Sequence, residues 1–359
     1  MTLADGAYIG LPMADYLADP ALSGSAFYNL LTEPGAITWD TPANPLFDPD
    51  AAEKKTLGQT RGSAAHCAIL EGLPAYEAAY CIAPNGALRT GEDMSAWLAR
   101  AKARRDDFAE LRTSGKVAEL RARIEEARQF LREDDPLWPS FFDEKVGGRT
   151  VLSAGDDAYV RMLTHFIRSN PKLAKYLCEG LPELTLVLTL DGVRYKCRID
   201  YLSPQCDLDL KSYGRPPNID MDLKRHLVRQ AFYNGAHLQA AHNARMSAAA
   251  GALALAGKLP IHGSESDAAL LQAIFRARAE RPAVFRWLFV RMDGPLACML
   301  VPFRQSDGMY QKALDDIETA VSVWRSYVAT CGDGIWITDH GEQEIDDVDW
   351  PIGAWEGRV

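Results

Sequence analysis

The chain has 359 residues, 47% hydrophobic and 25% charged, the balance of an ordinary folded protein, and a formal net charge of −10. An acidic total excludes a protein that coats nucleic acid without specificity, because phosphate binding rests on Lys and Arg, but it leaves room for an enzyme with a local cationic surface. The longest apolar run, residues 248–256, is far short of the roughly 20 residues a membrane span needs, so no membrane association is expected.

In chain order, residues 12–34 form an opening segment. Within it Ser23 and Ser25 are caps for a helix over 26–32 that stops before Pro34. Residues 35–56, with Pro42, Pro45 and Pro49, read as loop. Residues 58–72 carry Ala64, Ala65, Ala68, Ile69 and Leu70 in the pattern of a buried helix, and His66 lies among them. The charge-rich stretch 93–135 keeps helical periodicity and mixes acids with Arg, which predicts a solvated helical pair. A short strand is expected over 150–153 and an amphipathic helix over 156–169.

From Leu184 the period changes to two. Residues 184–190, 193–202 and 208–210 with their flanks predict three strands, joined by a tight Asp191-Gly192 turn and by Ser203-Pro204-Gln205. One helix is expected over 224–245. An Ala-rich helical stretch over 246–283 follows, broken at 260–264. Strands over 285–291 and 297–303 and a helix over 310–331 complete the chain. The opening residues lack the basic start and apolar stretch of a secretory signal. The seven cysteines (Cys67, Cys81, Cys178, Cys197, Cys206, Cys298, Cys331) are odd in number and never spaced as CxxC. Together these read as reduced thiols in a cytoplasmic protein.

The meander carries the chemistry. With the first turn at Asp191-Gly192, residue 190 faces 193, and following the ladder back sets Glu183 opposite Asp200. With the second turn centred between Pro204 and Gln205, Asp200 faces Asp209. Glu183, Asp200 and Asp209 then form one row across three adjacent strands, and Lys211 projects two residues beyond Asp209. Opposed like charges destabilise a sheet, so such a row is kept most readily where a cation neutralises it. Carboxylate oxygens presented singly favour Mg²⁺, with Mn²⁺ the alternative. A lysine beside the metal either orients or deprotonates an attacking water, or stabilises charge on a phosphate oxygen. The acid-x-Lys tripeptide alone is cheap, recurring at Glu53-Lys54-Lys55, Asp143-Glu144-Lys145 and Asp222-Leu223-Lys224; the coincident register of Glu183 and Asp200 singles out Asp209-Leu210-Lys211. Residues 194–229 hold eight cationic side chains, Arg198, Arg215 and Arg229 among them, against five acidic ones, a local excess that suits a DNA groove.

The order Gly62-Ser63-Ala64-Ala65-His66, Glu183, Arg198-Ile199-Asp200, Asp209-Leu210-Lys211-Ser212 and Arg229-Gln230-Ala231-Phe232-Tyr233 resembles the RecE (exonuclease VIII)-like PD-(D/E)xK nucleases of phages and prophages, over about residues 20–330. The resemblance implies an α/β fold, a mixed central β-sheet flanked by helices. It implies one nuclease domain over 1–359, with a core at about 58–90, 150–245 and 285–331 and helical insertions at about 93–135 and 246–283. It further implies Mg²⁺-dependent hydrolysis of linear duplex DNA from its 5′ ends in a bacterial or phage-infected cell. A single-strand annealing protein is the implied partner and a homo-oligomeric ring the implied assembly. Carried over by position, His66, Glu183, Asp200, Asp209 and the carbonyl of Leu210 match the metal site, and Lys211 matches the lysine at the attacking water. Gln230, Tyr233, Arg229 and Arg215 are the expected substrate contacts; Arg229 occupies the slot where the family carries Gln. The rival expectations are a Cas4-like or endonucleolytic enzyme of the same fold, and a catalytically silent relative that binds DNA or a protein.

Overall fold

On the strand over residues 285–291, Phe285, Trp287 and Phe289 belong to one buried cluster and Leu288 and Val290 to another. A strand apolar on both faces must be covered on both, which makes a layered α/β structure. The computed structural model describes residues 2–39, 57–84, 87–88, 90–133, 135–139, 145–214, 222–332 and 334–338. The chain opens with β1 (Gly6–Tyr8), α1 (Met13–Ala18), α2 (Gly24–Thr32) and α3 (Ala36–Trp39). Next come α4 (Leu57–Leu70), α5 (Leu73–Ala79), β2 (Tyr80–Ile82), α6 (Gly91–Arg104), α7 (Val117–Arg128), β3 (Lys145–Val146), β4 (Arg149–Leu152), α8 (Ala154–Ser169) and α9 (Pro171–Ala174). The meander is β5 (Leu181–Leu190), β6 (Val193–Leu202) and β7 (Asp207–Tyr213), followed by α10 (Leu223–Tyr233) and α11 (Ala236–Leu255). The chain closes with β8 (Ile261–His262), α12 (Glu265–Glu280), β9 (Phe285–Arg291), β10 (Cys298–Phe303) and α13 (Gly308–Cys331).

Seven strands form a mixed sheet in the order β10-β9-β7-β6-β5-β1-β8. The hairpin registers are those the turns dictate: β5 pairs β6 from Leu190↔Val193 to Leu181↔Leu202, and β6 pairs β7 at Tyr201↔Leu208 and Leu202↔Asp207. β9 lies parallel to β7, and the chain between them crosses over through α10, α11 and α12, as a parallel pair requires. Helices α2, α10, α11, α12 and α13 cover one face, while α4, α8 and α9 cover the other. A small sheet, β2-β4-β3, lies apart from the main one.

Three expectations need correction. The helix expected over 224–245 is two helices. Gly235 adopts φ +70°, and a Cβ there would meet the Tyr28 ring at 2.8 Å, so the chain turns closely against α2 and restarts. Secondly, the stretch 246–283, expected to be helical, also contains the short strand β8 between its helices, and it contributes Met246, Ala250, Leu271, Ile274 and Phe275 to the main core. Thirdly, short edge strands at Gly6–Tyr8 and Ile261–His262 extend the sheet beyond the meander. The charge-rich stretch, by contrast, forms a helical pair on its own small core (Trp97, Leu98, Leu120, Ile124), opened by a Thr90–Asp93 capping box. Among the described residues no helix is long and apolar enough to cross a membrane, and all seven cysteines are free thiols.

Candidate metal centre

The centre forms where the sheet's pairing fails. The β5–β6 ladder passes from Pro182↔Tyr201 to Leu184↔Ile199 and skips Glu183 and Asp200. Leu181, Leu184, Leu186 and Leu188 all enter the same core cluster, as do Tyr195, Cys197, Ile199 and Leu202, so the alternation slips one step on both strands at this pair. Glu183 carries the cost, a left-handed φ of 52° in a side chain with a Cβ, of the order of 1–2 kcal/mol. Because both strands slip together, the register survives the kink. β7 leaves β6 beyond Leu208, and the Leu210 amide donates to Oδ2 of Asp200 at 2.8 Å. The carboxylate is thus fixed by a backbone group that an unbroken ladder would have used.

Helix α4 supplies the third side chain. Its small residues Ala64, Ala65 and Ala68 are buried, and Gly62 sits where a Cβ would approach Ser212 Oγ at 3.2 Å, so the helix packs closely beside β7. His66 lies between two carboxylates, with Nδ1 3.3 Å from Glu183 Oε1 and Nε2 3.0 Å from Asp200 Oδ2. Donor atoms of His66, Glu183 and Asp200 lie within 4.8 Å of one another. In the next strand Lys211 donates to Asp209 Oδ1 at 3.0 Å and to Gln239 Oε1 at 3.2 Å. Glu183 also has Arg198 Nη1 at 3.9 Å from its Oε2.

The charges are interdependent. Burial opposes a charged imidazole, but Asp200, then Glu183 and Asp209, outweigh it and lift His66 to about 9. Burial pushes Glu183 up to about 7, with Asp200 adding to it and His66 and Arg198 opposing. Burial would also raise Asp200, yet His66, Lys211 and the Leu210 amide hold it below its ordinary value. Asp209, with burial the largest cause, rises to about 6 despite Lys211. Lys211 is raised, since Asp209 and Asp200 overcome its burial. Protonated His66 therefore serves as an internal cation among the acids. One imidazole and two carboxylates converging on one point, with one carboxylate pushed by burial up to about 7, fit a divalent cation.

His66, Glu183, Asp200 and Leu210 line a cavity of about 1000 Å³, together with Arg198, Ser212, Gln239 and Asn243. Asp209, expected as a fourth metal ligand, stands behind this wall at 2% exposure and is tied to Lys211. Arg229, Gln230 and Tyr233 are exposed on α10, which leads into the cavity residues Asn234 and Gly235, but the three do not themselves line it. Arg215 lies outside the described residues. Three cations of the basic stretch have structural partners. Arg194 pairs with Asp19 at 3.0 Å, Lys196 donates to the Tyr16 carbonyl at 2.7 Å and to that of Asp19, and Arg198 donates to the Leu11 carbonyl at 2.6 Å. They tie the opening segment to β6. Gln239 escaped the sequence reading because one long helix was expected there; the Asn234-Gly235 pair was the signal for a stop and a second helix.

No family model matches this chain, and no curated protein matches it. Among solved structures, one from Eubacterium rectale named "Putative exonuclease" aligns over 96% of this chain and 99% of its own, with 11% identity and a TM-score of 0.45.

Proposed function

We propose that this protein is a divalent-metal-dependent deoxyribonuclease of the PD-(D/E)xK type that degrades linear duplex DNA from its ends. The observation that carries the reading is the placement of His66, Glu183 and Asp200 around one point, with the Asp209–Lys211 pair on the adjoining strand.

In this reading His66, Glu183 and Asp200 hold Mg²⁺ or Mn²⁺, with the Leu210 carbonyl the additional ligand that the resemblance implies. Such an ion, when bound, neutralises charge on a phosphate oxygen and makes water a better nucleophile. Lys211 has its pKa raised, so it remains an ammonium group. It therefore acts by donating, either to the attacking water or to a phosphate oxygen, and does not serve as the general base. Asp209 and Gln239 hold it in place through their oxygens. Attack in line with the scissile bond expels the leaving oxygen on the opposite side of phosphorus. Arg229, Gln230 and Tyr233 meet DNA outside the cavity, on the helix that ends at its wall. Action from 5′ ends, a ring-shaped homo-oligomer, an annealing partner and a cytoplasmic setting belong to the same proposal and rest on the family resemblance.

The test is digestion of end-labelled linear duplex and of covalently closed circular duplex, with Mg²⁺ or Mn²⁺, by wild type and by Lys211→Ala and Glu183→Ala. Loss of linear DNA with circular DNA intact is expected, together with loss of activity in both variants. Undiminished activity in both variants would remove the site assignment. Cutting of the closed circle would make the enzyme an endonuclease. Absence of hydrolysis with either ion, alongside DNA binding, would favour a silent relative.

A further inference from the structure

Where β7 has left β6 beyond Leu208, it stays paired with β9 on its other side. Asp209 on β7 is paired with Trp287 on β9, in a parallel register that runs from Leu208↔Arg286 to Tyr213↔Arg291. Directly paired residues of adjacent strands project from the same face. Both side chains are buried, Asp209 at 2% and Trp287 at 4% exposure. One oxygen of Asp209 is taken by Lys211. The other, Oδ2, is a buried acceptor without a hydrogen-bond partner among the described residues, and Trp287 Nε1 is a buried donor without one. Buried polar groups of native proteins are rarely left unpaired, and an indole N–H in a core usually finds an acceptor. Here an unpaired donor and an unpaired acceptor of complementary kind stand in neighbouring positions of one row.

The indole is also held. It packs against Phe285, Phe289 and Phe303 with ring centroids 5.7, 6.4 and 5.0 Å away. An aromatic side chain fixed by three rings presents its N–H in a set direction. We propose that Trp287 is a positioning residue for Asp209: its indole N–H serves the carboxylate oxygen that Lys211 leaves free, across at most one water. The consequence is directional. With Oδ2 restrained from behind, Oδ1 faces Lys211, and the ammonium group is aimed by Asp209 on one side and Gln239 on the other. The inference rests on the proposed hydrolytic role for its effect on activity, but the contact itself is independent of that role.

The test combines a spectroscopic signature with activity. The protein contains eight tryptophans. In protein labelled with ¹⁵N-tryptophan, the Trp287 indole resonance is assigned by its absence from Trp287→Phe or, where that variant is unstable, from Trp287→Tyr. Asp209→Asn is then expected to move the Trp287 indole N–H resonance and to leave those of distant tryptophans in place. An unmoved Trp287 resonance would overturn the proposal whatever the activity shows. Trp287→Phe keeps an aromatic ring in the cluster but removes the donor together with part of the ring volume at a buried position, so its melting temperature is expected to fall by a few degrees. Its kcat on linear DNA is expected to fall about tenfold, the scale for losing a partner of a site residue, with KM unchanged. Wild-type kcat in a folded Trp287→Phe would equally overturn it. Wild-type protein inactive on all DNA would sink the nuclease reading, while the indole measurement would still decide whether Trp287 and Asp209 are joined.

Discussion

Protons and a divalent ion compete for His66, and the structure sets the scale of that competition. In the metal-free protein the imidazole lies 3.0 Å from Asp200 and 3.3 Å from Glu183, and it titrates at about 9. An ion that takes a ring nitrogen must first displace a proton. At pH 7 that displacement costs two pH units, about 3 kcal/mol or a hundredfold in apparent affinity relative to pH 9 and above. Apparent affinity for Mn²⁺ is therefore expected to rise about tenfold per pH unit between 7.5 and 8.5 and to level off beyond 9. Below pH 7 the dependence steepens, because Glu183, titrating at about 7, also holds a proton. Calorimetric titration in two buffers of different protonation enthalpy measures both quantities, and release of about one proton is expected near pH 8. His66→Asn should bind more weakly at pH 9 and lose the slope between 7.5 and 8.5. Equal wild-type affinity at pH 7.5 and 8.5, or the absence of proton release, would show that His66 is not in the ion's place.

The remaining predictions concern stability and aim. His66 and Glu183 both have folded pKa values raised above their ordinary 6.5 and 4.5. Their stabilisation of the metal-free protein is complete below those values and is lost as pH rises through about 9 and about 7, respectively. In chelator, the melting temperature should thus fall from pH 5 to pH 9, and Glu183→Gln should be more stable than wild type at pH 8, by about 3 kcal/mol, yet inactive. Lys196→Met should leave the Tyr16 and Asp19 carbonyls without their ammonium partner, cost about 2–3 kcal/mol in urea unfolding, and expose residues 11–19 to protease. Gln239→Leu should keep the melting temperature and lower hydrolysis roughly 10- to 100-fold, because Lys211 loses one of its two anchors.

Where turn chemistry and alternation governed, the sequence was readable. Asp191-Gly192 set the register of β5 and β6, the strand over 193–202 has the bounds that its alternation predicted, and the apolar run over 285–291 is a strand with the expected bounds. Where neither applied, reading ran past the structure. The poly-Ala stretch after 246 has no stripe to mark a face, so its place in the core could not be seen, although small side chains suit a helix packed tightly on a sheet. Strands of two and three residues, β8 and β1, are too short to show a period. Counting charge along 194–229 gave a basic groove, but Arg194, Lys196 and Arg198 are committed to the opening segment, because charge count carries no direction.

The acidic row shows the same limit more sharply. Its register was correct, and correct register alone would have produced three carboxylates side by side on a regular sheet. The structure instead withdraws Glu183 and Asp200 from the ladder, turns Glu183 through a left-handed φ, and gives the Leu210 amide to Asp200. Asp209, paired with Trp287 of β9 and no longer with Asp200, is tied to Lys211 and does not line the cavity. Repulsion among the acids is relieved partly by His66 from another helix and partly by this local departure from the sheet. A pattern of period two fixes which residues are neighbours; it contains no information on where a strand pair gives up its hydrogen bonds. That surrender is what frees two carboxylates to converge on one point with an imidazole.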